Sequence, residues 1–353
     1  MPGPPPIRGG ANASTEARFG QRTVMRGVGA YNRGVPALLL SRSEPGGDMD
    51  LIQARQEASP DASRWLLSEC CAPGSIFAGL VAATAEKKNL DHRALSVRTL
   101  LHLPRVATSR GHVTRSQVDR ELFHTARQLR KDSRAARDLI SAGKAGLHEL
   151  AFGPLAPDMA ETIFSSLHYL RSGRPRSLNF ALTDPDDGLP VTLCSVSPLE
   201  WKRIGSQINI RFGIPVSRIW DVSRVYSRND APPNAISFLL SRVRNALRRA
   251  DRDIELLITA VDLNLGFTGS SYRAANWQRW FTVQARPYLY HERRYISPRQ
   301  LRHDFGTSSI AELQVRYPGQ RFEQSRARLL ESMIFCCRLS GETEAVQSLR
   351  LHR

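Results

Sequence analysis

The strongest constraint on the fold of this chain is Ile254-Glu-Leu-Leu-Ile-Thr-Ala-Val261, a run with one charged residue in eight. Such a run is apolar on both faces of an extended strand. It therefore reads as a central strand covered on both sides, not as a half-exposed edge. Before it, Pro233 to Ala250 repeats apolar residues at helical spacing (Ile236, Leu239, Leu240, Val243, Leu247), and Ile219 to Tyr226 is strand-like. A strand, a helix and a buried strand in succession make a parallel crossover.

The surrounding segments extend this pattern. Leu147 to Leu155 reads as a strand and Pro157 to Leu170 as a helix. Ser177–Leu182 and Pro190–Val196 read as strands joined by the turn Thr183-Asp-Pro-Asp-Asp-Gly188. Ser270 to Trp280 reads as a short helix, and Phe281 to Tyr295 as two aromatic-rich strands. The expectation is an α/β (α+β) fold, a mixed central sheet flanked by helices, with an N-terminal helical domain. Residues 51–147 supply that domain, because their apolar residues recur every three or four positions. Thr114 with Gln117 before Val118 predicts a capping box opening a helix that runs to about Ser141. Residues 1–50, rich in Gly, Pro, Ser and Arg, are expected to be a loosely attached leader. The catalytic domain is expected over 148–318 and a helical tail over 319–353.

Charge narrows the partners. Lys plus Arg is 50 against 33 acidic residues, a net charge of +17. A field of that sign concentrates polyanions, so nucleic acid or an anionic cofactor is the expected partner. Between Arg98 and Arg137 ten basic residues face three acidic ones, so the helical region can lie on a phosphate backbone or can present a solvated charged face. No apolar run is long enough for a membrane span, and the N-terminus lacks the apolar core of a secretory signal. Five cysteines, two pairs of them vicinal, fit neither a disulfide framework nor a zinc site. A reduced cytoplasmic protein is the expectation.

The densest chemistry lies in Val261-Asp-Leu-Asn-Leu-Gly-Phe-Thr-Gly-Ser-Ser-Tyr-Arg-Ala-Ala-Asn-Trp277. Asp262 ends the buried strand, where open sheets place ligands. Gly266 and Gly269 permit a tight turn and close backbone approach to a ligand, and a helix start follows. Tyr272 and Asn276, four apart, are expected on one face of that helix. Upstream, Ser223, Arg224 and Tyr226 end a strand, while Asn234 and Ser237 open the next helix. That junction suits a pyrophosphate, although no Gly-rich loop is present. His168 and Tyr169 close an earlier helix. Finally, Tyr288 to His303 interleaves Tyr290 with Arg286, Arg293, Arg294, Arg299 and Arg302, a pattern that can hold phosphates and stack a base. The competing reading of that strip is a cationic edge strand protected from aggregation.

These segments (HYLRSGRP, VSRVYSRNDAPPNAIS, ITAVDLNLGFTGSSYRAANW, YLYHERRYISPRQL) occur in the order seen in the Mom family. That family comprises phage-type, anti-restriction DNA modification proteins related to GNAT acyltransferases. The resemblance covers about 148–318 and leaves the N-terminal helices outside it. It implies a GNAT-like fold and transfer of a small acyl or carbamoylmethyl-type group to the exocyclic amine of adenine in double-stranded DNA. It further implies active-site roles for His168, Asp262 and Tyr272, with Tyr169 on the nucleic acid. An acyl-CoA-type donor such as acetyl-CoA would be held by Ser223, Arg224, Tyr226, Asn234, Ser237 and Asn276. Iron is the other cofactor the family suggests, for which His168, Asp262 and Tyr272 would be the ligands. Two alternatives stay open: a GNAT-type enzyme acting on tRNA, a protein or a small amine, and a non-enzymatic nucleic-acid-binding protein. The residues do not fix the oligomeric state.

Overall fold

The structure, a computed structural model, describes residues 75–109, 111–250, 253–346 and 349–351. The leader expected over 1–50 and the apolar positions from Leu51 to Leu67 lie outside the described residues. Helices α1 (Ile76–Lys88), α2 (His92–Val106) and α3 (Arg115–Ala135) come first. Each start is capped by a side-chain oxygen, from Ser75, Asp91 and Thr114 respectively, which satisfies an N–H the helix leaves without a carbonyl. The Thr114–Gln117 capping box is formed, but α3 stops at Ala135, short of Ser141. Val81, Leu95, Leu103, Ala126 and Leu129 are fully buried in the shared core of the three helices.

The chain continues as β1 (Ala151–Pro154), α4 (Pro157–Leu167), β2 (Leu178–Thr183), β3 (Pro190–Pro198), α5 (Lys202–Phe212), β4 (Ile219–Ser227), α6 (Ala235–Ala250) and β5 (Leu256–Asp262). Then follow α7 (Ser270–Ala274), β6 (Gln278–Val283), β7 (Leu289–His291), β8 (Arg294–Ile296), α8 (Pro298–Phe305), α9 (Ile310–Arg316), β9 (Phe322–Gln324), β10 (Ser332–Arg338) and β11 (Leu349–Leu351). The large sheet runs β1-β2-β3-β4-β5-β10-β6-β11, and a small one runs β8-β7-β9. The front pairs from β1 to β4 are antiparallel, and β4 and β5 are parallel, as the crossover requires. This is the mixed α/β architecture expected.

The period of two along each strand decides which helix covers which face. Leu182 of β2, Cys194 of β3 and Leu257 of β5 pack against α6. Their neighbours Ala181 and Leu193 pack against α4, and Leu256 and Ile258 pack against α5. Helix α6 thus covers one face, and α4 and α5 cover the other. Burying each of these Leu or Ile side chains contributes about 1.5–3 kcal/mol.

Several sequence expectations need correction. The segment 319–353, expected as a helical tail, holds β9, β10 and β11, with β10 between β5 and β6. Met333-Ile-Phe-Cys-Cys337 is buried on both faces, so it lacks the alternation that marks a half-exposed strand. The sheet is therefore incomplete without residues beyond 318. Helix α5 was not anticipated. The strand expected from Leu147 begins at Ala151, and the helix expected to reach Trp280 ends at Ala274. The N-terminal helices, expected as an accessory helical domain, share a core with Leu265, Tyr288 and Tyr290. Among the described residues no helix is long and apolar enough to cross a membrane, and Cys194, Cys336 and Cys337 are buried free thiols.

Candidate functional site: a cleft between two parting parallel strands

Strands β4 and β5 pair only through Ile219–Leu256, Trp220–Leu257 and Asp221–Ile258. Beyond that point β4 follows β3 to Ser227 while β5 follows β10 to Asp262. A bulge aids the parting. Ser195 faces Arg224 and Val196 faces Val222, so Ser223 is the extra residue that raises the local twist of β4. Thr259 Oγ1 donates to the Val222 carbonyl at 2.9 Å, bridging the start of the gap. The gap is a cavity of about 160 Å³ walled by Ser223, Arg224, Thr259 and the Gly266–Tyr272 loop, with His168 and Tyr169. Since His168 ends α4 and Ile236 belongs to α6, residues from both faces of the sheet meet in it.

His168 is buried, its ring edge-on to Phe164 and 4.3 Å from that of Tyr169. Burial, with Arg224 and Arg98 nearby, holds the imidazole well below its ordinary pKa, so it is neutral. Its Nδ1 accepts from the Leu170 N–H at 3.2 Å. A neutral ring that accepts at Nδ1 carries its proton at Nε2 and is a donor there. In this form His168, expected in the active site, lines the cleft as a hydrogen-bond donor.

Tyr272 lines the cleft, stacked on Phe335 and edge-on to Trp277. Burial raises its hydroxyl to about 12, and Thr259 Oγ1 lies 3.5 Å away. Gly269 precedes α7 with φ +78°, and a Cβ there would sit 2.5 Å from the Phe335 ring. The close approach expected for this glycine is to a core phenylalanine. Asn276 is exposed, has φ +62° and follows the five-residue α7, so it shares no helical face with Tyr272.

Asp262 is absent from the cleft wall. Its Oδ1 accepts from the backbone and side-chain nitrogens of Asn264 at 2.9 and 2.8 Å, capping the turn Leu263–Leu265, and its Oδ2 accepts from Tyr288 at 2.5 Å. Asn264 itself ties this turn to both backbone groups of Leu330. Asp262, expected as a catalytic residue, is tied up by these bonds outside the cleft wall and, through Asn264, helps hold the cleft loop to the segment before β10.

The residues expected to hold a cofactor divide. Ser223 and Arg224 line the cleft, whereas Tyr226 lies in an adjoining hollow with His168, Tyr169 and Phe267. Ser237 Oγ donates to the Asn234 carbonyl at 2.9 Å, and Asn234 turns the chain into α6 with φ +66°. Arg224 donates to the Ser172 carbonyl, and Arg228 to the Ser141 and Gly143 carbonyls. Both guanidinium groups are thus engaged by backbone carbonyls, so neither stands open as a phosphate cradle. Of the three residues the resemblance gives to iron, His168 and Tyr272 line the cleft, whereas Asp262 is hydrogen-bonded to Asn264 and Tyr288 outside its wall. Among the described residues no three His, Cys, Asp or Glu are grouped as a metal site.

On the α4 side of the sheet, Tyr169 also lines a groove of about 850 Å³ between α2, α3 and the β7–β8 turn. Arg293 and Arg294, expected on nucleic acid, lie in it. Tyr290, expected to stack a base, is fully buried and donates to the Leu101 carbonyl at 2.8 Å, so it is core. Arg286, Arg299 and Arg302 lie outside the groove, with Arg299 paired to Glu200 at 2.8 Å. Sequence reasoning missed Thr259, Arg93 at the cleft mouth and His102 in the groove. Only the position of Thr259 in the buried run could have marked it. Arg93 and His102 carried no signal beyond their helix.

The family model of the Mom protein family matches residues 149–335, just over half of the chain. The match begins after α3 and ends inside β10. No curated protein matches the chain.

Proposed function

The chain belongs to the Mom protein family, and from that premise we propose that it is a DNA-modifying transferase of GNAT-like architecture. It joins a small acyl or carbamoylmethyl-type group to the exocyclic amine of adenine. The observation that carries this reading is the β4–β5 cleft, to which both faces of the sheet contribute. A donor can enter from one side and a base from the other, and the two meet where no strand intervenes. The antiparallel front half and single central crossover also support the acyltransferase comparison.

The chemistry follows from the residues. A base in a duplex must leave the stack before its amine is reachable, at a cost of a few kcal/mol. Tyr169, 5.5 Å from Phe267 and in contact with His168, offers an aromatic wall that offsets part of that cost. A bound acyl-CoA-type donor would be held by Ser223, Arg224 and Thr259 and would supply an activated acyl carbon. As the amine nitrogen bonds to that carbon the C–S bond would break, and the amine proton would leave with the thiol. His168 Nε2–H is placed to donate to an oxygen that gains negative charge, as an oxyanion donor does. The Tyr272 hydroxyl, neutral at physiological pH, is the other donor facing that space. The test is mass spectrometry of nucleosides from DNA of cells expressing the protein, beside a His168→Ala control. An adenosine of increased mass, absent in the control, is expected. Unmodified DNA from cells rich in folded protein would move the reading to another acceptor.

A further inference from the structure

We propose that α3, which lies outside the family match, is a rail for the phosphate backbone of duplex DNA and delivers the target base to the cleft past Tyr169. The inference rests on the DNA-modification reading above and adds which surface holds the substrate. Arg127, Lys131 and Arg134 are exposed and spaced by four and three residues, so they form one stripe along α3. The stripe is one wall of the groove, and Arg294 at the start of β8 is exposed on the opposite wall. Eight of the eighteen groove residues are Arg or Lys and two are Glu, so the groove attracts a polyanion.

The remaining basic residues of the groove are committed to its frame. Arg98 and Arg171 both pair with Asp132 of α3, at 2.6 and 2.7 Å, Arg293 pairs with Glu121 at 3.3 Å, and Arg130 donates to the Lys88 carbonyl at 3.2 Å. Charge recruited for the frame is held in place, whereas among the described residues the stripe makes no such pairing. The floor carries Tyr169, Tyr295 and His102, whose Nδ1 is buried without a hydrogen-bond partner. Tyr169 lines groove and cleft alike, so a nucleotide extruded from a backbone on α3 meets the aromatic wall first and the reacting space next. A flat solvated helix face explains the charge of α3 but not a groove of this volume that ends at the cleft.

The experiment measures binding of a fluorescent duplex to the full chain by anisotropy over a range of salt concentrations. Variants are the Arg127→Glu/Lys131→Glu/Arg134→Glu triple, the same triple to Gln, and a control with Lys202→Glu/Arg203→Glu on α5. Loss of three phosphate contacts is expected to weaken binding about tenfold to a hundredfold at low salt. It should lower the slope of log K against log salt by about 2.7. The Gln triple should lose the same slope with less weakening, and the control should match the parent. Thermal melts of the variants check that the fold survives. A parent-like slope in both triples overturns the rail, as does tighter binding to a structured RNA than to the duplex. Nucleoside mass spectrometry separates the two proposals. Modified adenine with an unchanged slope removes the rail alone, and a lowered slope with no modified base removes the modification reading alone.

Discussion

Tyr288 donates its hydroxyl hydrogen to Asp262 Oδ2 at 2.5 Å, and burial together with that carboxylate raises the phenol far above its ordinary pKa. The pair joins the end of the buried strand β5 to the segment entering β7. It makes a carboxylate at the sheet's carboxyl edge a structural tie.

Asp262→Ala is therefore expected to lower stability by about 2–3 kcal/mol, since it strands the buried Tyr288 hydroxyl and uncaps the Asn264 turn. Tyr288→Phe should cost less and produce a similar, milder loss of transfer. Thermal unfolding read beside transfer assays checks this. A variant of parental stability with no activity would return Asp262 to the chemistry.

Asp132 bridges Arg98 and Arg171, and Arg98 also donates to the Ser166 carbonyl at 2.5 Å, two residues before His168. Removing the carboxylate leaves a buried guanidinium unpaired. Asp132→Ala should cost about 3–5 kcal/mol. Asp132→Asn should fold and raise KM for DNA more than it lowers kcat, because it loosens the wall around Tyr169. Steady-state kinetics with a duplex substrate decides, and an unchanged KM counts against the clamp.

His168→Ala and Tyr272→Phe should each lower the transfer rate by about a hundredfold to a thousandfold, the range for removing one oxyanion donor. Tyr272→Phe should keep stability within about 1 kcal/mol, because the ring still stacks on Phe335. As His168 is already neutral, the rate should show no inflection attributable to it between pH 6 and 8. A bell centred near pH 6.5 that vanishes in His168→Gln would contradict the assignment.

Acid should destabilise the fold in a defined window. Buried His168 lies well below its ordinary pKa and His102 at about 3, while both bind protons near pH 6.5 when unfolded. The unfolded state then holds more protons, so stability falls as pH drops below about 6.5, by at most about 1.4 kcal/mol per pH unit for each histidine. Asp221 opposes this: burial raises it to about 6, so the folded state binds its proton first and gains between pH 6 and its ordinary 3.8. With two histidines against one carboxyl, melting temperature should fall from pH 7 to pH 5. His102→Gln should flatten the slope, and a flat parental profile would argue against neutral buried histidines.

Much of the framework was legible in local pattern. The run at 254–261, the strand at 219–226 and the intervening helix form the predicted parallel crossover, and Thr114 with Gln117 caps a real helix. These signals depend on residues within four positions of each other, or on an apolar run that can only be buried. Met333 to Cys337 carried a run of the same kind, but its place between β5 and β6 depends on partners some seventy and fifty residues upstream.

The sequence by itself determined the strongly basic charge, the crossover and the cluster of chemical residues around it, because each is a matter of residue type and short spacing. Which of those residues face the cleft was decided only by the tertiary structure. Asp262 was claimed by Tyr288, 26 residues away, and Tyr290 by the Leu101 carbonyl, 189 residues away. A buried polar group must find a partner wherever packing brings one. The cleft has the same origin, since it opens only because β4 and β5 follow different neighbours past Asp221 and Ile258.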